Sequence, residues 1–301
     1  KSFSPGNLAV INERGFSFKS IKTVTQPRIK NIDLETAANI LQKILLESTR
    51  ERVSGLREIA VAFSGGLDCS VIAFLAKLCG VKVHLVSVGL KNQPELKHAE
   101  RAAEALGLPL HVQTYTIDDV ERVLAKVLWL IEEPDALKAS IAIPFYWAAE
   151  NTAKIGCRVL LAGQGGDELF GGYQRYLTEY AHSGPSALTG LMYRDVATSY
   201  EKNFQRDNVV CSFHKVELRL PFADRELIRF SLSLPLSLKI ISQHDSLRKR
   251  VLREVAQSLG LPSFIVKKPK KAIQYATGVG KALKTLAKRE GSSLQEYVKK
   301  A

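Results

Sequence analysis

No stretch of this chain stays apolar for long: charges interrupt every hydrophobic run well short of the ~20 residues a membrane helix needs. The first residues also lack the basic-then-apolar layout of a secretory signal. The chain opens on Lys1 with no methionine, so a processed or truncated form is expected. Cysteine is scarce. Cys69, Cys79, Cys157 and Cys211 are widely spaced and none forms a C-x-x-C pair, which argues against a zinc site or a thiol redox motif and fits a reducing cytoplasm. Internal repeats and low-complexity segments are absent. Acidic residues are outnumbered, 30 Asp and Glu against 43 Lys and Arg, for a net charge of +13. Nucleic acid, a membrane surface or a polyphosphate would each be attracted by that excess. Much of it lies between Lys267 and Lys300, opposed only by Glu290 and Glu296, and the simplest expectation there is a solvated basic tail.

What is present is ordinary for a globular protein: 301 residues, 46% hydrophobic and 24% charged. A chain this long buries about three-quarters of its unfolded surface and needs no disulfide or metal staple. Phe3 to Phe18 reads as a hairpin with turns at Pro5-Gly6 and Arg14-Gly15. Asp33 caps an amphipathic helix running through Ala37, Leu41 and Leu45. Strands are expected at 59–63, 81–88, 110–115 and 158–162, and helices at 70–78, 94–106, 118–130 and 142–154. That alternation predicts an α/β fold, a parallel twisted sheet with helices on both faces. Beyond Gly172 no strand signal remains. The segments 173–182, 186–204, 224–232, 245–259 and 283–288 read as helices, giving a mainly helical C-terminal part. The expected organisation is residues 1–30 as a hairpin and linker and 31–301 as one larger domain.

Open parallel sheets bind ligands at the carboxyl ends of their strands. Two loops of unusual composition lie at such ends. Ser64-Gly65-Gly66-Leu67-Asp68-Cys69-Ser70 follows the first sheet strand and enters a helix. Its paired glycines allow backbone N–H groups to wrap an anion, and the helix start adds positive potential. Asp68 beside a phosphate makes sense when a divalent cation accompanies that ligand. Gly163-Gln164-Gly165-Gly166-Asp167-Glu168 follows the fourth strand and again combines glycines with carboxylates. Near matches are excluded. There is no Walker A sequence; the would-be dinucleotide fingerprint at Gly163 ends in Glu168, whose charge would repel a pyrophosphate; and Ala62 breaks the hydrolase elbow pattern around Ser64.

The Ser64–Ser70 loop resembles the S-G-G-x-D-S loop of the N-type ATP pyrophosphatases. From about Ile59 to Gly278 the chain resembles the synthetase domain of the asparagine synthetase family. Four further segments carry the likeness in order: Ser87-Val88-Gly89-Leu90 with Pro94-Glu95-Leu96, Gly163 to Tyr176, Val216 to Asp224, and Lys268-Pro269-Lys270 leading to Gly278. The resemblance implies an adenine-nucleotide α-hydrolase-like fold and an ATP-dependent, AMP-forming carbon–nitrogen ligase of asparagine biosynthesis, with ATP and Mg²⁺ as cofactors. By the same resemblance, Ala62, Phe63, Ser64, Gly65, Gly66, Asp68, Cys69, Ser70, Val88, Ala162 and Gly163 would bind ATP or pyrophosphate. Asp68 and Asp167 would ligate Mg²⁺. Lys270 would stabilise charge on the α phosphate while a carboxylate attacks it, and Gln164 takes the remaining catalytic position.

Gln164 stands where asparagine synthetases carry Glu and the lactam-forming relatives carry Tyr, and an amide cannot accept a proton as a base does. The family's glutaminase half starts with a catalytic cysteine, whereas the first cysteine here is Cys69. The N-terminal hairpin resembles the closing hairpin of such a half, so ammonia from solution, or a glutaminase domain or partner subunit, is expected to supply nitrogen. The expected substrate is a small carboxylate, aspartate first, with ammonia or an amine as acceptor. Intramolecular amide formation (a lactam or peptide ring), tRNA modification and a silent subunit are the competing readings. The lack of an RNA-binding module argues against nucleic acid; homo-oligomerisation stays open. Position alone suggests that Glu132-Glu133-Pro134 and Ser140 border the substrate.

Overall fold

The computed structural model describes residues 6–21 and 23–301. Phe3 and Pro5 of the expected hairpin lie outside the described residues. The hairpin itself is formed by β1 (Asn7–Asn12) and β2 (Gly15–Ser20), paired antiparallel with Asn12 opposite Gly15. Both strands are largely exposed, Ile11 and Phe16 included.

A five-stranded parallel sheet organises the rest. Its strands are β3 (Glu58–Ala62), β4 (Lys82–Leu90), β5 (Leu110–Tyr115), β6 (Val159–Leu161) and β7 (Glu217–Arg219), in the spatial order β5-β4-β3-β6-β7. The inner strands are apolar on both sides. Ile59 and Val61 of β3 and Val159 and Leu161 of β6 enter one core, while Ala60 and Leu160 enter the other. Strands of that composition require cover on both faces. One face is covered by α1 (Leu34–Val53), α2 (Leu67–Leu78), α3 (Pro94–Leu106), α9 (Arg225–Ser233) and α10 (Arg250–Ser258). The other is covered by α4 (Ile117–Ile131), α5 (Ala136–Lys154), α8 (Gln205–Phe213), α13 (Val279–Arg289) and α14 (Leu294–Lys300). Each fully buried Leu, Ile or Val contributes about 1.5–3 kcal/mol by leaving water. Between these lie α6 (Gly166–Phe170), α7 (Gln174–Ala197, broken at Gly184), α11 (Ser263–Val266) and α12 (Ile273–Ala276).

Strand order reverses between β3 and β6: the chain moves outward through β4 and β5, then returns to the other side of β3. The loops after β3 and β6 therefore diverge around a crevice at the switch point, where open sheets bind ligands.

Several boundaries differ from the sequence reading. β7 is a strand beyond Gly172, where none was expected; Glu217-Leu218-Arg219 is short and charged at both ends, and only pairing with β6 makes it a strand. The expected helix at 245–259 begins at Arg250. Asp245 Oδ1 instead accepts the N–H groups of Leu247 and Arg248, and Arg248 and Lys249 are left-handed, with φ of 52° and 53°. Helix α5 starts at Ala136, capped by Asp135, whose side chain accepts from Lys138 N at 2.7 Å. Asp33 caps α1 through Thr36 N at 2.8 Å, as its position suggested.

Candidate active site

The loop after β3 is compact. Gly65 has φ +67°, and a Cβ there would lie 2.7 Å from the His98 ring, so both conformation and space require glycine. His98 Nε2 donates to the Gly65 carbonyl at 2.8 Å, fixing the turn from α3, and burial lowers the pKa of this histidine. Helix α2 begins at Leu67, inside the expected loop, so Asp68, Cys69 and Ser70 occupy its first turn. Gly66 is its N-cap and supplies no side-chain cap, leaving the first N–H groups available to an anion. Ser70 Oγ is fully buried and has no hydrogen-bond partner among the described residues, an orphaned donor at the same turn.

The loop after β6 packs directly on the first. A Cβ on Gly163 would sit 2.9 Å from Asp68 Cβ, and one on Gly172 would sit 1.9 Å from Asp167 Oδ1. Small residues here let two acidic loops approach. Between the carboxylates lies Lys249, 2% exposed: its Nζ is 2.7 and 2.6 Å from the two Asp68 oxygens and 2.6 Å from Asp167 Oδ1. Lys270 Nζ lies 2.6 Å from Asp167 Oδ2. Burial alone would raise the Asp167 pKa, but Lys249 and Lys270 hold it well below the carboxylate range. Burial likewise opposes the charge on Lys270, and Asp167 and Asp68 outweigh it, raising its pKa. Glu168 differs: burial and then Asp167 raise its pKa, while its Oε1 accepts from Tyr173 Oη at 2.7 Å and Asn203 Nδ2 at 2.8 Å.

Ala62, Phe63, Ser64, Gly66, Asp68, Cys69, Val88, Ala162, Gly163, Gln164 and Lys270 line one cavity over this crevice. Gly65 is buried against His98, Ser70 sits fully buried in the first turn of α2, and Asp167 meets the cavity through its two lysines. Val86, Pro144, Phe145 and Ala148 give the same cavity an apolar wall. The expected borders at Glu132-Glu133-Pro134 and Ser140 are not among the lining residues. Glu133 pairs with Lys138, the Pro134 carbonyl accepts from Gln295, and Ser140 bonds back to Leu137, so one to two turns further along α5 the helix meets the cavity. The Gln164 amide donates to Asp207, which is fully buried and held bidentate by Arg206. Burial raises the Asp207 pKa against that pairing.

Lys249 and Arg253 were missed by sequence reasoning. Arg253 donates to the Leu247 and Arg248 carbonyls and to those of Val266 and Lys268, tying the segment that carries Lys249 to the one that carries Lys270. The run Arg248-Lys249-Arg250 reads as a basic helix start, and no local signal marks one of the three as buried.

Carboxylates are suitable ligands for Mg²⁺, and the lysine lodged between Asp68 and Asp167 marks a position that demands positive charge. The residues therefore fit the ion that accompanies a nucleotide polyphosphate.

The asparagine synthase family model matches residues 41–187 and 177–300. A putative glutamine-hydrolysing asparagine synthetase of Methanocaldococcus jannaschii is 35% identical over 294 residues, covering 88% of this chain and 54% of that protein. The glutamine-hydrolysing asparagine synthetase of Asparagus officinalis is 28% identical over 297 residues, covering 92% of this chain and 48% of that protein. The chain thus spans about half the length of these relatives. On the family match and the ordered segments it covers, this chain belongs to the asparagine synthase family.

Proposed function

We propose that this chain is an ATP-dependent amide-forming ligase that activates the side-chain carboxylate of aspartate. A carboxylate oxygen attacks the α phosphorus of ATP, the bond to the β-phosphate oxygen breaks, and acyl-AMP and pyrophosphate result. Ammonia then attacks the acyl carbon, AMP leaves, and a proton passes to solvent as the amide forms.

The observation that carries this reading is the convergence of Asp68, Asp167, Lys249 and Lys270 at the switch point of the sheet. The α2 N-terminus and Ser70 would hold the departing diphosphate. Lys270 would stabilise charge at the α phosphate, and a preorganised cation of this kind lowers a barrier by a few kcal/mol. Asp68 and Asp167 would hold Mg²⁺, which when bound neutralises phosphate oxygens. The apolar wall of Val86, Phe145 and Ala148 suits an adenine ring. Gln164, committed to Asp207, supplies no base, which suits a nucleophile that arrives as neutral ammonia.

Residues 31–301 would form the synthetase unit. The exposed hairpin within residues 1–30, with Ile11 and Phe16 at its surface, would face the glutaminase domain or subunit that delivers ammonia. Pyrophosphate exchange into ATP, measured across a panel of amino acids, tests the substrate: aspartate should support it. Exchange with other carboxylates and none with aspartate would refute that assignment.

A further inference from the structure

At the opposite end of the sheet, on the face covered by α4 and α5, a second group of chemistry-bearing side chains meets. We propose that Glu58, His84 and Cys157 form a zinc-class metal site, with His111 orienting His84. Glu58 opens β3, His84 lies near the start of β4, and Cys157 stands two residues before β6, so three neighbouring strand starts each contribute one ligand. One ligand atom from each lies within 4.8 Å of the other two. The whole length of β3 separates them from Ser64, about 13 Å at the usual rise of a strand. This site is independent of the nucleotide crevice.

The Glu58–His84 spacing, a hydrogen bond in the metal-free chain, is also that of two ligands on one ion. Glu58 Oε2 and His84 Nε2 are 3.2 Å apart. Two tetrahedral ligands, each about 2.0–2.1 Å from zinc, lie roughly 3.3–3.4 Å from one another. His84 Nδ1 faces His111 Nε2 at 3.0 Å. With Nδ1–H donating to His111, His84 Nε2 keeps its lone pair, the tautomer a metal requires; a partner on the far nitrogen is the usual support for a metal-bound histidine. Cys157 is 2% exposed, and on metal binding its thiol gives up a proton to solvent and coordinates as thiolate. Sulfur, imidazole and a single carboxylate select zinc or cobalt over magnesium or calcium. Three protein ligands leave a fourth position for water. The competing cation is Lys82, whose Nζ is 3.3 Å from the same Glu58 oxygen; its side chain is 66% exposed and free to swing away. Wide cysteine spacing argued against zinc only because spacing registers local pairs, whereas these ligands are assembled by strand order.

Titrating the metal-stripped chain with Co²⁺ tests the site. One equivalent should bind with a thiolate-to-cobalt charge-transfer band, and Zn²⁺ should displace it. Cys157→Ser should abolish the band, while Cys69→Ser, in the nucleotide loop, should leave it intact. His111→Ala should retain the band with affinity about 10–100-fold lower. Glu58→Gln alters a half-exposed side chain and should weaken Co²⁺ binding. Circular dichroism verifies each fold. No band in the unmodified chain, a band surviving Cys157→Ser, or unchanged affinity in Glu58→Gln would overturn the proposal.

Discussion

Lys249 bridges Asp68 and Asp167, with its Nζ 2.6–2.7 Å from oxygens of both. Two carboxylates from separate loops are thus held together by a buried ammonium on a third segment. Arg248 and Lys249 both adopt left-handed backbone to place it there. Such conformations cost about 1–3 kcal/mol each and persist at sites where geometry outweighs comfort.

Replacing that cation should expose the repulsion it suppresses. Lys249→Met leaves Asp68 without its ammonium, and losing one partner of a buried pair costs about 3–5 kcal/mol. Thermal unfolding in chelator should show this loss. Mg²⁺ should raise the melting temperature of the variant more than that of the parent chain. Equal Mg²⁺ shifts would mean that no cation is needed between the two acids.

Lys270→Ala should lower aspartate-dependent pyrophosphate exchange by about 10²–10³-fold, the usual effect of deleting one preorganised charge partner. Equilibrium binding of ATP should change little, because the α2 turn and the apolar wall remain. Unaffected exchange would remove Lys270 from the chemistry.

Gly172→Ala tests the packing of the second loop. The added methyl would fall 1.9 Å from Asp167 Oδ1 and 2.4 Å from Lys249 Cε, so both must move. A destabilisation of about 1–3 kcal/mol is expected, as for other overpacked sites. Calorimetry should also show weaker binding of magnesium pyrophosphate.

Glu168 sets a pH dependence. Its folded-state pKa is raised, so between the unfolded and folded values the native chain holds the extra proton and stability falls as pH rises. The loss begins near 4.5, the unreacted glutamate value, and ends once pH passes the folded pKa. Glu168→Gln keeps an acceptor for Tyr173 and Asn203 and removes the titration. Denaturant midpoints measured without metal should therefore show the variant gaining on the parent chain as pH rises above that value. Parallel curves would contradict the assignment.

The parts legible in the sequence were those with local causes. β3, β4, β5 and β6 announce themselves as apolar runs bounded by turns, and the Ser64–Ser70 and Gly163–Asp167 loops join glycines to carboxylates at strand ends. What stayed hidden depends on distant partners. β7 exists because Leu218 and Arg219 find β6. Lys249 looks like any surface lysine until Asp245 turns the chain and left-handed residues aim it inward. Pro144 and Phe145 face the cavity, rather than the more polar Glu132–Pro134 segment, because the phase of α5 is set by its packing. Glu58, His84 and Cys157 are 99 positions apart from first to last and meet only through the strand order.

In the proposed reaction the turn at Ser64–Ser70 and the acid at Asp167 grip one magnesium diphosphate. A crystal structure with Mg²⁺ and a non-hydrolysable ATP analogue tests it most directly. The prediction is a single ion ligated by Asp68 and Asp167, the β and γ phosphates against the first turn of α2, and Lys249 turned from the acids onto phosphate. Phosphates bound elsewhere, with the Lys249 bridge intact, would rule out that grip.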